Sequence, residues 1–168
     1  YELINKILND PRFSSKVGNL MMELGNYNLK DKLNQILNPL IFCDSLFEKE
    51  VQKLARDLSY YPLWEKTVTY DLYKSIYNIN KRSDIQKGIY VVPTDVSFSW
   101  DYSHNMTSKD YRRFLNNTMK HRESIMAQNA INEIYRIFDD ENRNNKVLII
   151  YNAPHACRYY KNKYDVYR

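Results

Sequence analysis

Lys146-Val147-Leu148-Ile149-Ile150-Tyr151-Asn152-Ala153-Pro154-His155-Ala156-Cys157-Arg158 begins as a strand and ends as a turn. Val147 to Ile150 is an unbroken apolar run that follows the polar turn Glu141-Asn142-Arg143-Asn144-Asn145. The run is too short for a helix and rich in β-branched residues, which predicts a strand covered on both faces. Pro154 has no N–H to give to a sheet ladder, so the chain must turn there. His155 is thereby set at or just beyond the carboxyl end of a strand. In open α/β sheets that edge is where ligands bind.

Two earlier stretches repeat the arrangement. Leu20-Met21-Met22 predicts a short buried strand, ended by a turn at Gly25-Asn26, so that Glu23 lies at its carboxyl end. Ile89-Tyr90-Val91-Val92 predicts a second strand that stops at Pro93-Thr94-Asp95 and leads into the β-rich Val96-Ser97-Phe98-Ser99-Trp100. A charged side chain is seldom buried at such a position without a partner. Glu23 is either satisfied by backbone N–H groups or an arginine, or it is a functional carboxylate. Asp95 is either a turn or helix-capping aspartate or a second acid of the same site.

Helical patterns fill the rest. Leu3, Ile4, Ile7 and Leu8 form a stripe over residues 1–9, ended by Asp10-Pro11. Leu29, Leu33, Ile36 and Leu37 predict a helix after the Gly25-Asn26 turn. Two more are expected over 44–59, with Leu46, Phe47, Val51, Leu54, Ala55 and Leu58 inward, and over 69–78. Together these make residues 44–79 a helical insertion or lid. A long helix is predicted over 109–138. Within it Arg122 forms either an exposed pair with Glu123 or a reach across the strand ends, and His121, like His104, reads as a surface histidine. Strands alternating with helices predict an α/β fold with a mostly parallel sheet, flanked by helices and built from right-handed crossovers.

The length of 168 residues fits one domain with a substantial core. A net charge of +5 has the sign that suits a nucleic-acid partner, but basic and acidic residues are interspersed throughout. Without a basic block or an aromatic-basic repeat, no nucleic acid is expected as partner. No run of apolar residues is long enough for a membrane span. Cys43 and Cys157 make neither a disulfide framework nor a metal knuckle, and read as free buried thiols, although Cys157 is close enough to His155 for a nucleophile pair to be conceivable. The chain lacks an initiator Met and a signal peptide, so it is expected to be truncated at its amino end, and its compartment and oligomeric state stay open.

The segments Leu20-Met-Met-Glu23-Leu-Gly-Asn, Trp64 with Tyr77-Asn78, Tyr90-Val-Val-Pro-Thr-Asp95, Arg122-Glu-Ser-Ile-Met-Ala-Gln-Asn129 and Val147-Leu-Ile-Ile-Tyr-Asn-Ala-Pro-His155-Ala occur in order. In that order and spacing the chain resembles the erythromycin esterase family, within a superfamily shared with haem-binding ChaN lipoproteins and Tiki-type metalloproteases. The resemblance spans most of residues 15–158 and implies a cleft above the sheet, with Glu23, His155 and Arg122 at matching positions. In the esterase branch a His activates water without a metal, and in the protease branch similar Glu and His positions hold a divalent metal. The Gly-Glu-x-His segment that opens the family, and supplies its general base, has no counterpart here. The late motif also has Asn152-Ala-Pro-His155 where the family commonly carries a Gly. On this reading the fragment alone is expected to lack activity and one strand of its sheet.

The leading expectation is hydrolysis of an ester or related bond in a small-molecule substrate, without cofactor. His155 supplies a group titrating near neutrality, Glu23 and Asp95 are the acids that orient a base, and Arg122 or Asn152 stabilises an oxyanion. Asn152 and Trp64 are the candidate substrate-binding residues. The alternatives are a metal-dependent hydrolase with Glu23 and His155 as ligands to a divalent metal, and a non-enzymatic binder of haem or iron.

Overall fold

The computed structural model describes residues 2–58, 67–85, 87–100 and 105–152. The chain runs α1 (Glu2–Asn9), α2 (Pro11–Lys16), β1 (Gly18–Asn26), a single 3-10 turn (Tyr27–Leu29), α3 (Lys30–Ile36), α4 (Asp44–Asp57), α5 (Thr67–Asn80), β2 (Tyr90–Asp95), α6 (Ser108–Asp139) and β3 (Lys146–Ile150). The three strands form one sheet in the order β2-β1-β3, and both pairings are parallel. The protein is therefore an α/β protein with a parallel sheet, as the alternation of strand and helix patterns predicts.

The alternating side chains of β1 separate two cores. Leu20 and Met22 join Val91, Leu33, Phe47, Val51, Leu54, Leu72, Tyr73 and Ile76 on the face covered by α1 to α5. Met21 joins Val92 and Ile137 on the face covered by α6. The connection from β1 to β2 thus runs over one face, and the connection from β2 to β3 returns over the other. Helices α4 and α5, predicted as an insertion or lid, supply much of the larger core.

Several local expectations are corrected. Pro93 does not end β2. It lies inside the strand, in register with Met22, which is tolerated because β2 is an edge strand. β1 likewise continues through Gly25 to Asn26 rather than turning. Gly25 has φ +106°, and a Cβ there would come within 2.8 Å of the Pro93 Cβ, so the close approach of the two strands requires glycine. Val96 to Ser99 is not a strand, although Val96 and Phe98 are buried against Trp100 and Phe114. β3 is a strand but not one covered on both faces: Ile149 is 48% exposed. Asp10-Pro11 ends one helix and starts another, because Asp10 accepts a hydrogen bond from the Arg12 N–H and Pro11 occupies the first helical position. In the amphipathic patterns, Leu3 and Leu46 face solvent rather than the core. Cys43 is free but exposed, not buried. His121 is on the surface, as expected, while His104 and Cys157 lie outside the described residues.

The outer edge of β2 is closed by two side-chain amides. Asn34 accepts from the Val91 N–H at 2.8 Å and donates to the Val91 carbonyl at 2.7 Å. Asn80 accepts from the Ile89 N–H at 2.7 Å. Each amide does what a neighbouring strand would do.

Helix α6 is fastened to the start of α3 by a buried ionic cluster. Glu133 Oε1 accepts from Lys30 Nζ at 2.6 Å, Tyr27 Oη at 2.6 Å and Arg136 Nη1 at 2.9 Å. Burial works to raise the Glu133 carboxyl, but the hydrogen bonds from Lys30 and Tyr27 outweigh it and hold the group below the usual range. Burial and the Glu133 carboxylate push the Tyr27 phenol up to about 12. Lys30→Met would take from Glu133 its buried cation, leaving the exposed Arg136 and the Tyr27 hydroxyl, and is expected to lower the unfolding free energy by about 3 kcal/mol in urea denaturation, most of it recovered when Glu133→Leu is added. Because the folded pKa of Glu133 is depressed, its contribution is complete above its ordinary value of 4.5 and is lost as the pH falls through the folded value. Glu133→Leu is expected to flatten the acid limb of the stability profile accordingly.

Candidate functional site at the carboxyl end of the sheet

The carboxyl ends of all three strands converge on one polar cluster. β1 carries Glu23 near its end, β2 ends in Thr94 and Asp95, and β3 leads directly into Tyr151 and Asn152. Glu23, Asp95 and Arg122 are only 5%, 1% and 3% exposed. Three charged side chains this deeply buried must satisfy one another or their surroundings.

Glu23 is held by the chain leaving β3. Its Oε2 accepts from the Asn152 backbone N–H at 2.8 Å, and its Oε1 from Asn152 Nδ2 at 2.9 Å. This two-point grip fixes where the chain goes after the last strand.

Asp95 is held by Arg122 of α6. The guanidinium engages the carboxylate with both prongs, Nε to Oδ1 at 2.8 Å and Nη2 to Oδ2 at 3.0 Å. Oδ1 also accepts from the Val96 N–H at 2.8 Å. Burial pushes the Asp95 carboxyl up from its ordinary value against the pull of Arg122, and the nearby charge of Glu23 pushes the same way. Of the two arrangements the sequence allowed for Arg122, the reach across the strand ends is the one observed. Asp95 bonds to the next backbone N–H, as a turn aspartate does, while facing a buried cation.

Thr94, Tyr151 and Asn129 knit these parts together, and sequence reasoning passed over all three as site residues. Thr94 Oγ1 donates to the Met22 carbonyl at 3.1 Å and accepts from Tyr151 Oη at 2.7 Å. Asn129 Nδ2 donates to the Thr94 carbonyl at 2.9 Å. Burial raises the Tyr151 phenol; the hydrogen bond to Thr94 opposes this, and the charges of Glu23 and Asp95 reinforce it. The available signal was position: Thr94 precedes Asp95, Tyr151 precedes Asn152, and Asn129 lies two helical turns beyond Arg122.

Of the residues expected in the site, the structure brings together Glu23, Asp95, Arg122 and Asn152. His155 and Trp64 lie outside the described residues. Among the described residues no three His, Cys, Asp or Glu side chains gather as a metal would require, and no helix is long and apolar enough to cross a membrane.

A cleft of about 210 Å³ opens beside the cluster, lined by Ile4, Leu20, Met22, Leu24, Leu72 and Ile150, with Glu23 and Asn152 as its polar part. A larger cavity of about 630 Å³ lies at the other end of the sheet, beside Ile89 and Tyr90. Its cations are already matched: Lys81 with Asp44, Arg82 with Asp84 and Arg143 with Asp140. Chemistry therefore points to the smaller space.

The fold and cluster define a parallel α/β protein with a buried acid–guanidinium site at the carboxyl end of its strands. No model of a known family, no curated protein and no solved structure matches the chain.

Arg122→Ala is expected to cost about 3–5 kcal/mol in urea denaturation, because it leaves Asp95 buried without its cation. Arg122→Lys, which cannot reproduce the two-pronged contact, should recover less than half of that loss.

Proposed function

We propose that this protein hydrolyses an ester or related bond in a small molecule, with His155 taking part in substrate orientation or proton transfer at the Glu23–Asn152 junction. The observation that carries this is the convergence of Glu23, Asp95, Arg122 and Asn152 on the carboxyl edge of the sheet, with Glu23 and Asn152 meeting between β1 and β3 and the Asp95–Arg122 pair at the end of β2. The connection leaving β1 runs over one face of the sheet, and the return to β3 comes over the other. Ligands of open α/β sheets bind at such a switch point.

The reading takes His155, three residues after Asn152 in the sequence, as the acid–base group. Glu23 fixes Asn152, from which the chain leads to His155. Asp95 fixes the plane of Arg122, which supplies positive charge where an oxyanion develops. The ordered segments that resemble the erythromycin esterase family point the same way. A metal-dependent version would take Glu23 and His155 as ligands, with Asn152 orienting the Glu23 carboxylate.

A panel of activated esters, assayed with and without chelator, tests the proposal. His155→Ala is expected to lower kcat/KM by about 100- to 10,000-fold, the range for losing a positioned acid–base group, and chelator is expected to change nothing. Loss on chelation would move Glu23 and His155 to a metal site. Equal trace turnover in wild type and variant would overturn the proposal.

A further inference from the structure

The cavity of about 630 Å³ at the other end of the sheet stands apart from the acid–guanidinium cluster and has a chemistry of its own. Leu37, Leu40, Ile85 and Ile89 give it an apolar side. Lys81, Arg82 and Arg143 bring three cations to it, and no carboxylate is among its lining residues. A space of this size is in the range that small organic molecules occupy.

The three cations are closed to different degrees. Lys81 Nζ lies 2.6 Å from Asp44 Oδ1. Arg82 grips Asp84 with two prongs, Nε to Oδ1 at 3.0 Å and Nη2 to Oδ2 at 2.6 Å, and its Nη1 donates to the Asn9 carbonyl at 3.1 Å. Both residues follow directly on the carboxyl end of α5, whose partial negative charge they offset. Arg143 differs. Its Nε is 2.9 Å from Asp140 Oδ2, while its terminal nitrogens make no hydrogen bond among the described residues. The other oxygen of Asp140 accepts from the Asn142 N–H at 2.9 Å, and Asp140 lines a neighbouring pocket rather than this cavity.

The Arg143 guanidinium is also held in place. Its central carbon lies 3.5 Å from the centroid of the Tyr90 ring. Stacking of this kind leaves the edge of the guanidinium, where the N–H groups lie, open to an acceptor. A fork of donors restrained in this way loses little freedom on binding, and it matches the two oxygens of a carboxylate. One open guanidinium suits one negative charge, whereas a phosphate monoester carries about −1.5 to −2 near neutrality.

We infer that this cavity binds an amphipathic monocarboxylate, with its carboxylate on the terminal nitrogens of Arg143 and its apolar body along Leu37, Leu40, Ile85 and Ile89. The site goes beyond the hydrolase reading and does not depend on it.

Calorimetric titration of the protein with acetate, butyrate, octanoate and octylammonium tests this. Affinity is expected to rise about twofold to fourfold per methylene from butyrate to octanoate, as the body leaves water. Octylammonium is expected to bind about tenfold more weakly than octanoate, or less well still, because it meets cations. Arg143→Met keeps an apolar stem against Tyr90 and removes the fork, and should weaken octanoate by about 10- to 100-fold, the worth of charge-assisted hydrogen bonds. Arg113→Met, at an exposed ion pair near the start of α6, should change nothing. Leu40→Asp, at a lining position open to solvent, leaves Arg143 in place and should weaken octanoate about threefold or more. It carries the test even where the Arg143 variant does not fold. Equal affinity along the chain series, octylammonium binding as tightly as octanoate, or octanoate binding indifferent to Leu40→Asp and to a folded Arg143→Met would overturn the inference. Turnover has no part in this readout. Octanoate binding without ester hydrolysis would remove the hydrolase reading alone, and hydrolysis by a protein that does not bind octanoate would remove this site alone.

Discussion

The middle strand constrains everything else. β1 pairs with β2 along one side and with β3 along the other, so its backbone is engaged in both directions and its side chains alternate between two packed cores. A strand in that position cannot shift by one residue without exchanging its apolar contacts between the two faces. Glu23 is therefore delivered to a fixed place. The elements that meet it there, from the end of β2, from α6 and from the chain after β3, are arranged around a carboxylate that has no freedom to move toward them. The site is rigid because its first member is anchored by the sheet itself.

Charge at the strand ends is managed in pairs rather than diluted by solvent. Arg122 reaches Asp95 from α6, and Lys30 reaches Glu133 on the same helix from α3. Both ion pairs join α6 to the β2 side of the molecule. Their desolvation is costly, and such pairs add little net stability compared with apolar packing. They set which turn of the long helix lies over which strand. That role matters here because α6 is weakly specified by its apolar side chains: Met119, Ile125, Ile131, Tyr135 and Phe138 are exposed, while Met126 and Ile137 are buried. Two buried ion pairs provide a register that its hydrophobic pattern leaves loose.

How much of this could be read in the sequence follows from the same physics. Short apolar runs and the alternation of strand and helix patterns are local signals, and they located all three strands and the parallel fold. Glu23, Asp95 and Asn152 were legible as candidates because position along a strand determines which end of the sheet a residue reaches. Pairing was not legible. Nothing near Arg122 in the chain indicates that its partner is Asp95 rather than Glu123, since only the folded crossover brings α6 to the end of β2. Pro93 was misread as a stop for a related reason: a proline ends a strand only where its missing N–H would have been needed. Whether β2 has a second neighbour is a property of the whole sheet. Thr94 and Tyr151 escaped because each is unremarkable until the fold brings the hydroxyl at the end of β2 to the hydroxyl just after β3, across the end of β1.

The amides on the outer side of β2 carry a consequence for association. Asn34 and Asn80 occupy backbone groups of Val91 and Ile89 that an incoming strand would need. Chain growth into a fibril requires two receptive borders on every subunit, so two asparagines placed along this one border work against polymerisation through the whole sheet.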